Sequence, residues 1–342
     1  MKETVLVTGG TGFVAGWCIA ELLGRGYRVR TTVRDLSREP AVRAAVASVA
    51  KDTTDLSFHV AELLDDSGWA EAMAGCDYVL HVASPLSGAP AGDRQAFVAP
   101  ARQGTLRVLK AAVDAGVKRV VMTSAAATAR PPLHLNLVSD ETMWADPYDP
   151  QFDAYRVSKI LAEREAWEFM EANGGATEFS TVLPGAVFGP ILTAGNLGSV
   201  RIIRDLLRGK PAFVPRLGFW VVDVRDLADL HVRAMTAPAA AGQRFIAAGE
   251  FLWLEEVAKA LRDGLGARGA KAPTRRLPIF LVKLLAPFLR DLRPLAPLIG
   301  RKFELTSQKA RGMLGFSPRP ARVAIADCAN SLFDHDLVRD ER

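Results

Sequence analysis

The chain has 342 residues, 49% apolar and 24% charged, which allows one large α/β domain or two ordinary ones and excludes general disorder and a fibrous repeat. A chain of this length buries enough apolar surface to fold without disulfides or a structural metal. Lys+Arg 43 against Asp+Glu 38 leaves +5, spread without a basic block, so no nucleic-acid partner is expected.

Short β-rich runs at residues 4–8, 27–33, 56–60, 78–82, 119–124 and 179–183 alternate with helical spacings at 13–25, 41–50, 69–74, 104–115 and 154–171. Uninterrupted apolar strands between helices predict the α/β class, with a doubly wound parallel sheet. Pro184, Gly185, Gly189, Pro190, Gly195 and Gly198 then crowd one interval, which reads as a loop walling a site. A helix (200–208), a strand (219–222), a helix (226–235), a strand (244–247) and a helix (254–265) follow. The tail from Thr274 is predicted to be mostly helical, broken at Pro278, Pro287, Pro294 and Pro297.

Strand one ends in Thr8-Gly9-Gly10-Thr11-Gly12-Phe13-Val14-Ala15 and feeds a helix. Glycines let the backbone approach a pyrophosphate, and the helix start offers free N–H groups and a positive dipole end. Thr8, Gly9, Thr11, Gly12, Phe13 and Val14 are therefore candidate dinucleotide contacts, although Gly9-x-x-Gly12-x-x-Ala15 is wider than the commonest fingerprint. Strand two ends in Val33-Arg34-Asp35, with Arg38 close behind. An acid there would bind the adenosine ribose, whereas a guanidinium suits a 2′-phosphate, so Arg34 favours NADP over NAD. This organisation predicts a dinucleotide-binding core of residues 1–183 and 215–250, interleaved with a substrate lobe of 184–214 and 251–342.

Tyr155 and Lys159 are four residues apart at the start of a predicted helix, on one face. An ammonium about 4 Å away stabilises a phenolate by up to ~4 kcal/mol, which draws a phenol from about 10 towards neutral pH. Such a tyrosine suits proton transfer to a carbonyl that is being reduced.

On these motifs the chain resembles the extended short-chain dehydrogenase/reductase superfamily. Within it, the likeness is to the dihydroflavonol reductase, cinnamoyl-CoA reductase and microbial aldehyde/ketone reductase group. The matching segments are LVTGGTGFVAGW, YRVRTTVRD, GCDYVLHVASP, VKRVVMTSAAAT, YRVSK, LPGAVFGP and FWVVDVRDLADLHV, with weaker similarity in KARGMLGFSPR. The resemblance implies reversible NADP-dependent carbonyl reduction. Tyr155 would be the acid/base, Lys159 would bind the ribose and lower the Tyr155 pKa, and Arg34 would contact the 2′-phosphate. It also implies cofactor-lining segments at His81 to Pro85 (Val82, Ala83 and Ser84 among them) and at Pro184, Gly185 and Val187, with Leu63 and Thr123 completing the set.

One position departs from the group. Strand five usually ends Thr-Ser-Ser, and the second Ser orients the carbonyl; this chain has Thr123-Ser124-Ala125. Ser124, Thr128 or a substrate hydroxyl then takes that role, or Tyr155 acts alone. Loss of one polarising hydrogen bond costs about 10²–10³ in rate at comparable sites. Ser124 is carried as the third catalytic candidate.

Other features point less specifically. Cys18, Cys76 and Cys328 are sparse and suit a reducing compartment. MKETVLVTGG enters strand one directly, without the pattern of a signal peptide. The apolar stretch 277–300 carries Lys283, Arg290, Asp291 and Arg293, so no membrane span and a cytoplasmic protein are expected. Residues 277–299 form either a substrate-lobe wall or an interaction face. His59, His81, His134, His231 and His335 lack metal-ligand spacing and read as packing or surface residues. Asp223, Arg225, Asp226 and Asp229 read as a helix cap with ion pairs, and the resemblance suggests a brace between lobes. Trp144, Phe152, Phe219 and Trp220 line a pocket near Tyr155 or belong to the core.

The expected function is NADPH-dependent reduction of a ketone or aldehyde with a bulky apolar part. A small-molecule carbonyl substrate is the expected partner, and the chain a monomer or homodimer. Alternatives are a hydroxysteroid dehydrogenase, a nucleotide-sugar epimerase of the same superfamily, or a non-catalytic dinucleotide sensor.

Overall fold

The computed structural model describes residues 2–84, 95–132, 135–150, 152–195, 197–285 and 298–339. Pro85, His134, Pro287, Arg290, Asp291, Arg293, Pro294 and Pro297 lie outside the described residues.

The first half alternates strand and helix. In order it comprises β1 (Thr4–Val7), α1 (Phe13–Gly24), β2 (Arg28–Val33), α2 (Glu39–Ala47), β3 (Leu56–Val60), α3 (Trp69–Met73), β4 (Tyr78–His81), α4 (Gln95–Asp114), β5 (Arg119–Thr123), α5 (Ala154–Asn173) and β6 (Glu178–Pro184). The second half adds β7 (Ala186–Phe188), α6 (Val200–Leu207), β8 (Val214–Pro215), β9 (Gly218–Asp223), α7 (Val224–Thr236) and β10 (Gln243–Ala247). It ends in β11 (Phe251–Trp253), α8 (Leu254–Leu265), β12 (Arg276–Leu277), α9 (Ile279–Leu285), α10 (Gln308–Leu314) and α11 (Ala321–Asp334).

Seven strands form one parallel sheet in the order β10-β6-β5-β4-β1-β2-β3. Period-two alternation divides its side chains between two cores. Val5, Val7, Leu80, Val121 and Val182 pack with Ile19 and Leu22 of α1 and Leu227 and Leu230 of α7. Leu6, Val79, Val120 and Met122 pack on the other face with Val108, Leu109 and Ala112 of α4 and Ala162 and Ala166 of α5. Strand order reverses between β1 and β4, and at such a switch point the carboxyl ends of the strands open a crevice.

A second, three-stranded sheet runs β11-β9-β7. Phe188, Val221, Ile203 and Leu206 of α6, Val257 and Leu261 of α8, and Ile325 and Leu332 of α11 build a separate core beside it. All three cysteines are buried and free.

Four features differ from the pattern-based expectation. α4 starts at Gln95 rather than 104, because Pro100 and Gly104 mask the helical spacing of its first turns. The interval after Pro184 contains β7, paired with β9. β9 lies in the smaller sheet although its residues fall in the range expected for the core. α10, from the range expected for the lobe, places Ala310 and Leu314 in the α1–α7 core. Among the described residues no helix is long and apolar enough to cross a membrane.

Candidate active site

The glycine turn lies at the carboxyl end of β1. Gly9 has φ +72°, and a Cβ there would meet the Ala83 Cβ at 2.9 Å, so only glycine lets the β1 and β4 ends close together. Thr8 ties the same ends: its Oγ1 accepts from Val82 N at 3.1 Å and Ala83 N at 3.0 Å. Its own proton is left for His81 Nδ1 at 3.0 Å. Burial, with the Lys159 charge, pushes the His81 pKa down to about 3, so this ring stays a neutral acceptor. Gly12 caps α1 without a side-chain hydrogen bond, and no acidic residue stands in the first turn. The N–H groups of Phe13 and Val14 thus open an uncapped, positive helix end beside Thr11.

The remaining cofactor candidates follow along the same edge of the sheet. Arg34 is exposed beyond β2, without a hydrogen bond or ion pair among the described residues. Asp35 is committed elsewhere: its Oδ1 accepts from Ser37 N at 2.8 Å, and that bond holds its carboxyl below the usual range. Leu63 follows β3, half-buried against Gly104, and half-buried Val82, Ala83 and Ser84 follow β4. Pro184 ends β6, and Gly185 and Val187 lead into β7. A Cβ on Gly185 would lie 2.2 Å from the Trp220 carbonyl oxygen, so this turn also requires glycine.

Asp153 caps α5, accepting from Arg156 N at 2.8 Å, which places Tyr155 and Lys159 in its first two turns. Lys159 is 5% exposed, and its Nζ donates to the Thr123 carbonyl at 3.4 Å. Burial pushes its pKa down to about 8, opposed by the Glu163 carboxylate. Tyr155 is 39% exposed, and desolvation, then the Asp153 charge, raises its pKa. The expected lowering by Lys159 is therefore not the controlling influence here. The ammonium bonds the end of β5, its charge acts on His81, and desolvation of the phenol dominates.

Thr123 and Ser124 point to opposite faces, as strand geometry requires. Thr123 Oγ1 donates to His231 Nε2 at 2.7 Å, and His231 Nδ1 donates to the Leu227 carbonyl at 2.7 Å. Burial holds the His231 pKa down to about 4, consistent with this neutral tautomer.

The Ser124 hydroxyl is engaged within the protein. The residue is 2% exposed and donates to Glu163 Oε2 at 2.6 Å. Thr128 is also engaged, donating to the Ala125 carbonyl at 2.8 Å and accepting from Arg244 Nη2 at 3.1 Å. At Ala125 the strand end carries only a methyl group.

Sequence reasoning missed the buried pair beneath Lys159. Glu163 is fully buried and accepts from Thr181 Oγ1 at 2.8 Å and Arg244 Nε at 2.9 Å, besides Ser124. The available signal was spacing: Glu163 repeats the four-residue step from Tyr155 to Lys159. His81 and His231, read as packing or surface residues, are buried and also bond Thr8 and Thr123. The aromatic candidates are engaged as well. Arg244 lies over Trp144 at 3.6 Å, Trp220 Nε1 donates to the Phe303 carbonyl at 2.5 Å, Phe152 faces Arg130, and Phe219 packs on the second core. Arg225 clasps Asp223 at the start of α7 and reaches Asp327 of α11 at 2.6 Å. A separate hollow of about 650 Å³, lined by Trp220, Gly249, Leu305, Gln308 and Arg311 among others, lies past β10. It includes no catalytic or cofactor candidate.

Residues 5–248 match the model of the NAD dependent epimerase/dehydratase family. Cinnamoyl-CoA reductase 1 of Oryza sativa subsp. japonica is 36% identical over 267 residues, 77% of this chain and 76% of that protein. Ketoreductase azaE of Aspergillus niger is 31% identical over 98% of both chains. Among solved structures, yeast methylglyoxal/isovaleraldehyde reductase Gre2 complexed with NADPH superposes with a TM-score of 0.80 at 24% identity, covering 97% of this chain and 99% of that one. Vestitone reductase from alfalfa (Medicago sativa) gives 0.73 at 26% identity, covering 98% and 100%. The matched stretch contains the glycine turn, the Tyr155–Lys159 step and every strand of the larger sheet, and the chain belongs to the NAD dependent epimerase/dehydratase family, the extended short-chain dehydrogenases/reductases.

Proposed function

We propose that this protein is an NADPH-dependent reductase that converts a ketone or aldehyde with a bulky apolar part to an alcohol. The observation that carries the reading is buried Lys159, whose Nζ lies 3.4 Å from the Thr123 carbonyl at the end of β5, with Tyr155 one turn before it on α5. The names of the reductase relatives support it.

The residues present fit a dinucleotide. The glycine turn lies at the switch point between β1 and β4, the start of α1 beside it is uncapped for a pyrophosphate, and exposed Arg34 suits a 2′-phosphate while Asp35 is tied to Ser37. The bound nicotinamide supplies the hydride. Tyr155 donates its phenolic proton to the carbonyl oxygen, and its raised pKa keeps it protonated for that task near neutral pH. Lys159 holds the ribose hydroxyls and stabilises the phenolate left after proton transfer. With Ala125 at the strand end, Tyr155 is the principal hydrogen-bond donor to the carbonyl.

Steady-state NADPH oxidation against a panel of ketones, aldehydes and diketones tests the reading. Turnover of at least one carbonyl, lost in Tyr155→Phe, is the expected result. No turnover of any member, with NADPH bound, would point to the dinucleotide-sensing alternative.

A further inference from the structure

Arg130 ends the 3₁₀ turn Ala126–Ala129 that follows β5. It is 9% exposed, and its guanidinium carbon lies 4.3 Å from the centre of the Phe152 ring and 5.0 Å from that of Phe303. Phe152 lies just before α5, close to Tyr155 in sequence. Phe303 belongs to the segment that returns from the C-terminal part of the chain. Arg130 thus stands where the larger sheet meets that segment.

Two of its nitrogens, Nε and Nη2, are shut off from solvent and have no hydrogen-bond partner among the described residues. These two N–H groups share one edge of the planar guanidinium, the edge that clasps both oxygens of a carboxylate side-on. In three other arginines that edge is occupied. In Arg225 it holds Asp223 Oδ1 and Oδ2 at 2.9 and 2.7 Å, in Arg244 it meets Glu163, and in Arg119 it meets Glu178. The Asp149 and Asp153 carboxylates both act electrostatically on Arg130 without bonding that edge, and Asp153 bonds Arg156. Burial lowers the Arg130 pKa only to about 10, so the group is cationic at neutral pH.

A buried donor pair left unmade is unfavourable, and buried polar groups generally find partners. We propose that Arg130 anchors a carboxylate on the substrate, so that the carbonyl compound reduced at Tyr155 carries an acidic group. This rests on the reductase reading above and narrows its substrate class. The two phenylalanine rings give the carbon frame beside the carboxylate an apolar, aromatic setting. The edge is closed to solvent, so an entering carboxylate must part the side chains around it, and that rearrangement weakens the apparent affinity.

Calorimetric titration of the full chain, with NADPH present, compares benzoylformate and 4-carboxybenzaldehyde with their methyl esters, which keep the shape and lose the charge. At least one acid is expected to bind wild type about ten- to a hundredfold tighter than its ester, the size of a charge-assisted pair of hydrogen bonds. Arg130→Met should abolish the preference, and Arg130→Lys, which keeps a charge without the fork, should retain no more than about a tenth of it. Should Arg130→Met lose its cooperative unfolding transition, Arg130→Lys decides. Acids that bind wild type no tighter than their esters, or a preference that survives the substitutions, would overturn the proposal. Parallel NADPH oxidation separates the two readings. An acid preference without turnover of any carbonyl leaves the anion site standing and removes the reductase, whereas turnover without the preference does the reverse.

Discussion

The Ser124 hydroxyl donates to Glu163 Oε2 at 2.6 Å, one helical turn beyond Lys159 on α5. Glu163 in turn holds Arg244 from β10, so this serine belongs to a buried polar network that begins one turn beyond Lys159. Ser124→Ala should leave kcat within about threefold and lower stability by roughly 1–3 kcal/mol, the effect of depriving a buried carboxylate of one donor. Ala125→Ser, which restores a hydroxyl at the strand end, should raise kcat. Carbonyl-dependent NADPH oxidation and urea denaturation measure the two effects. A kcat loss beyond about tenfold in Ser124→Ala, with cofactor affinity unchanged, would return Ser124 to the chemistry.

Arg34 is exposed at the end of β2 while Asp35 caps the following turn through Ser37. Arg34→Ala should weaken NADPH binding by about tenfold or more and leave NADH within about threefold, because only NADPH carries the 2′-phosphate. Fluorescence titration with both cofactors checks this. Equal losses would assign the phosphate contact elsewhere.

Lys159 titrates at about 8 because burial outweighs the Glu163 charge. A lysine is cationic below its pKa, so its ribose contact is complete at pH 6–7 and fades as pH rises through about 8. NADPH affinity should follow that curve in wild type. It should stay flat across the same range in Lys159→Arg, whose guanidinium keeps its proton. A wild-type affinity independent of pH from about 6.5 to 9 would remove Lys159 from the cofactor contacts.

Arg244 and Glu163 form an ion pair in which the side chains are 7% and 0% exposed. Arg244→Met leaves the Glu163 charge buried without its partner and should destabilise the fold by about 3–5 kcal/mol. The double variant Arg244→Met/Glu163→Leu should recover much of that loss, since a well-packed apolar pair often replaces a buried ion pair at little cost. Denaturant midpoints of the two variants decide it. A double variant no more stable than the single one would show that the network is held by its other hydrogen bonds.

Strand and helix periodicity made the larger sheet readable, because fully apolar strands such as Val5–Leu6–Val7 signal burial on both faces without tertiary information. The glycine turn and the Tyr155–Lys159 step are local patterns and were equally legible. Partnerships across the chain were not. Nothing near Ser124 in the sequence indicates that residues 163 and 244 will close around it, and Glu163 was visible only as one more four-residue step. β7 was hidden because three residues beside Gly185 and Gly189 look like loop, and their strand character comes from pairing with β9. The empty edge of Arg130 has no sequence signature, since it depends on two aromatic rings, at 152 and 303, meeting in space.

The backbone passes between the two sheets repeatedly: at Gly185 from β6 to β7, at Asp223 from β9 into α7, and again between β10 and β11. It then returns to the first core with α10 before α11 joins the second. No single cut therefore divides the protein into two self-sufficient halves. A fragment ending at residue 248 would contain all seven strands of the larger sheet, yet would leave β9 without β11 and uncover the apolar seat of Ala310, Leu314 and Phe316. During synthesis from the N-terminus, the core that begins at Val5 stays open on that side until Phe316 has left the ribosome. The region most exposed to misassembly in the nascent chain is thus the surface of α7 and β10 awaiting that late helix, rather than the crevice at the carboxyl ends of β1 and β4.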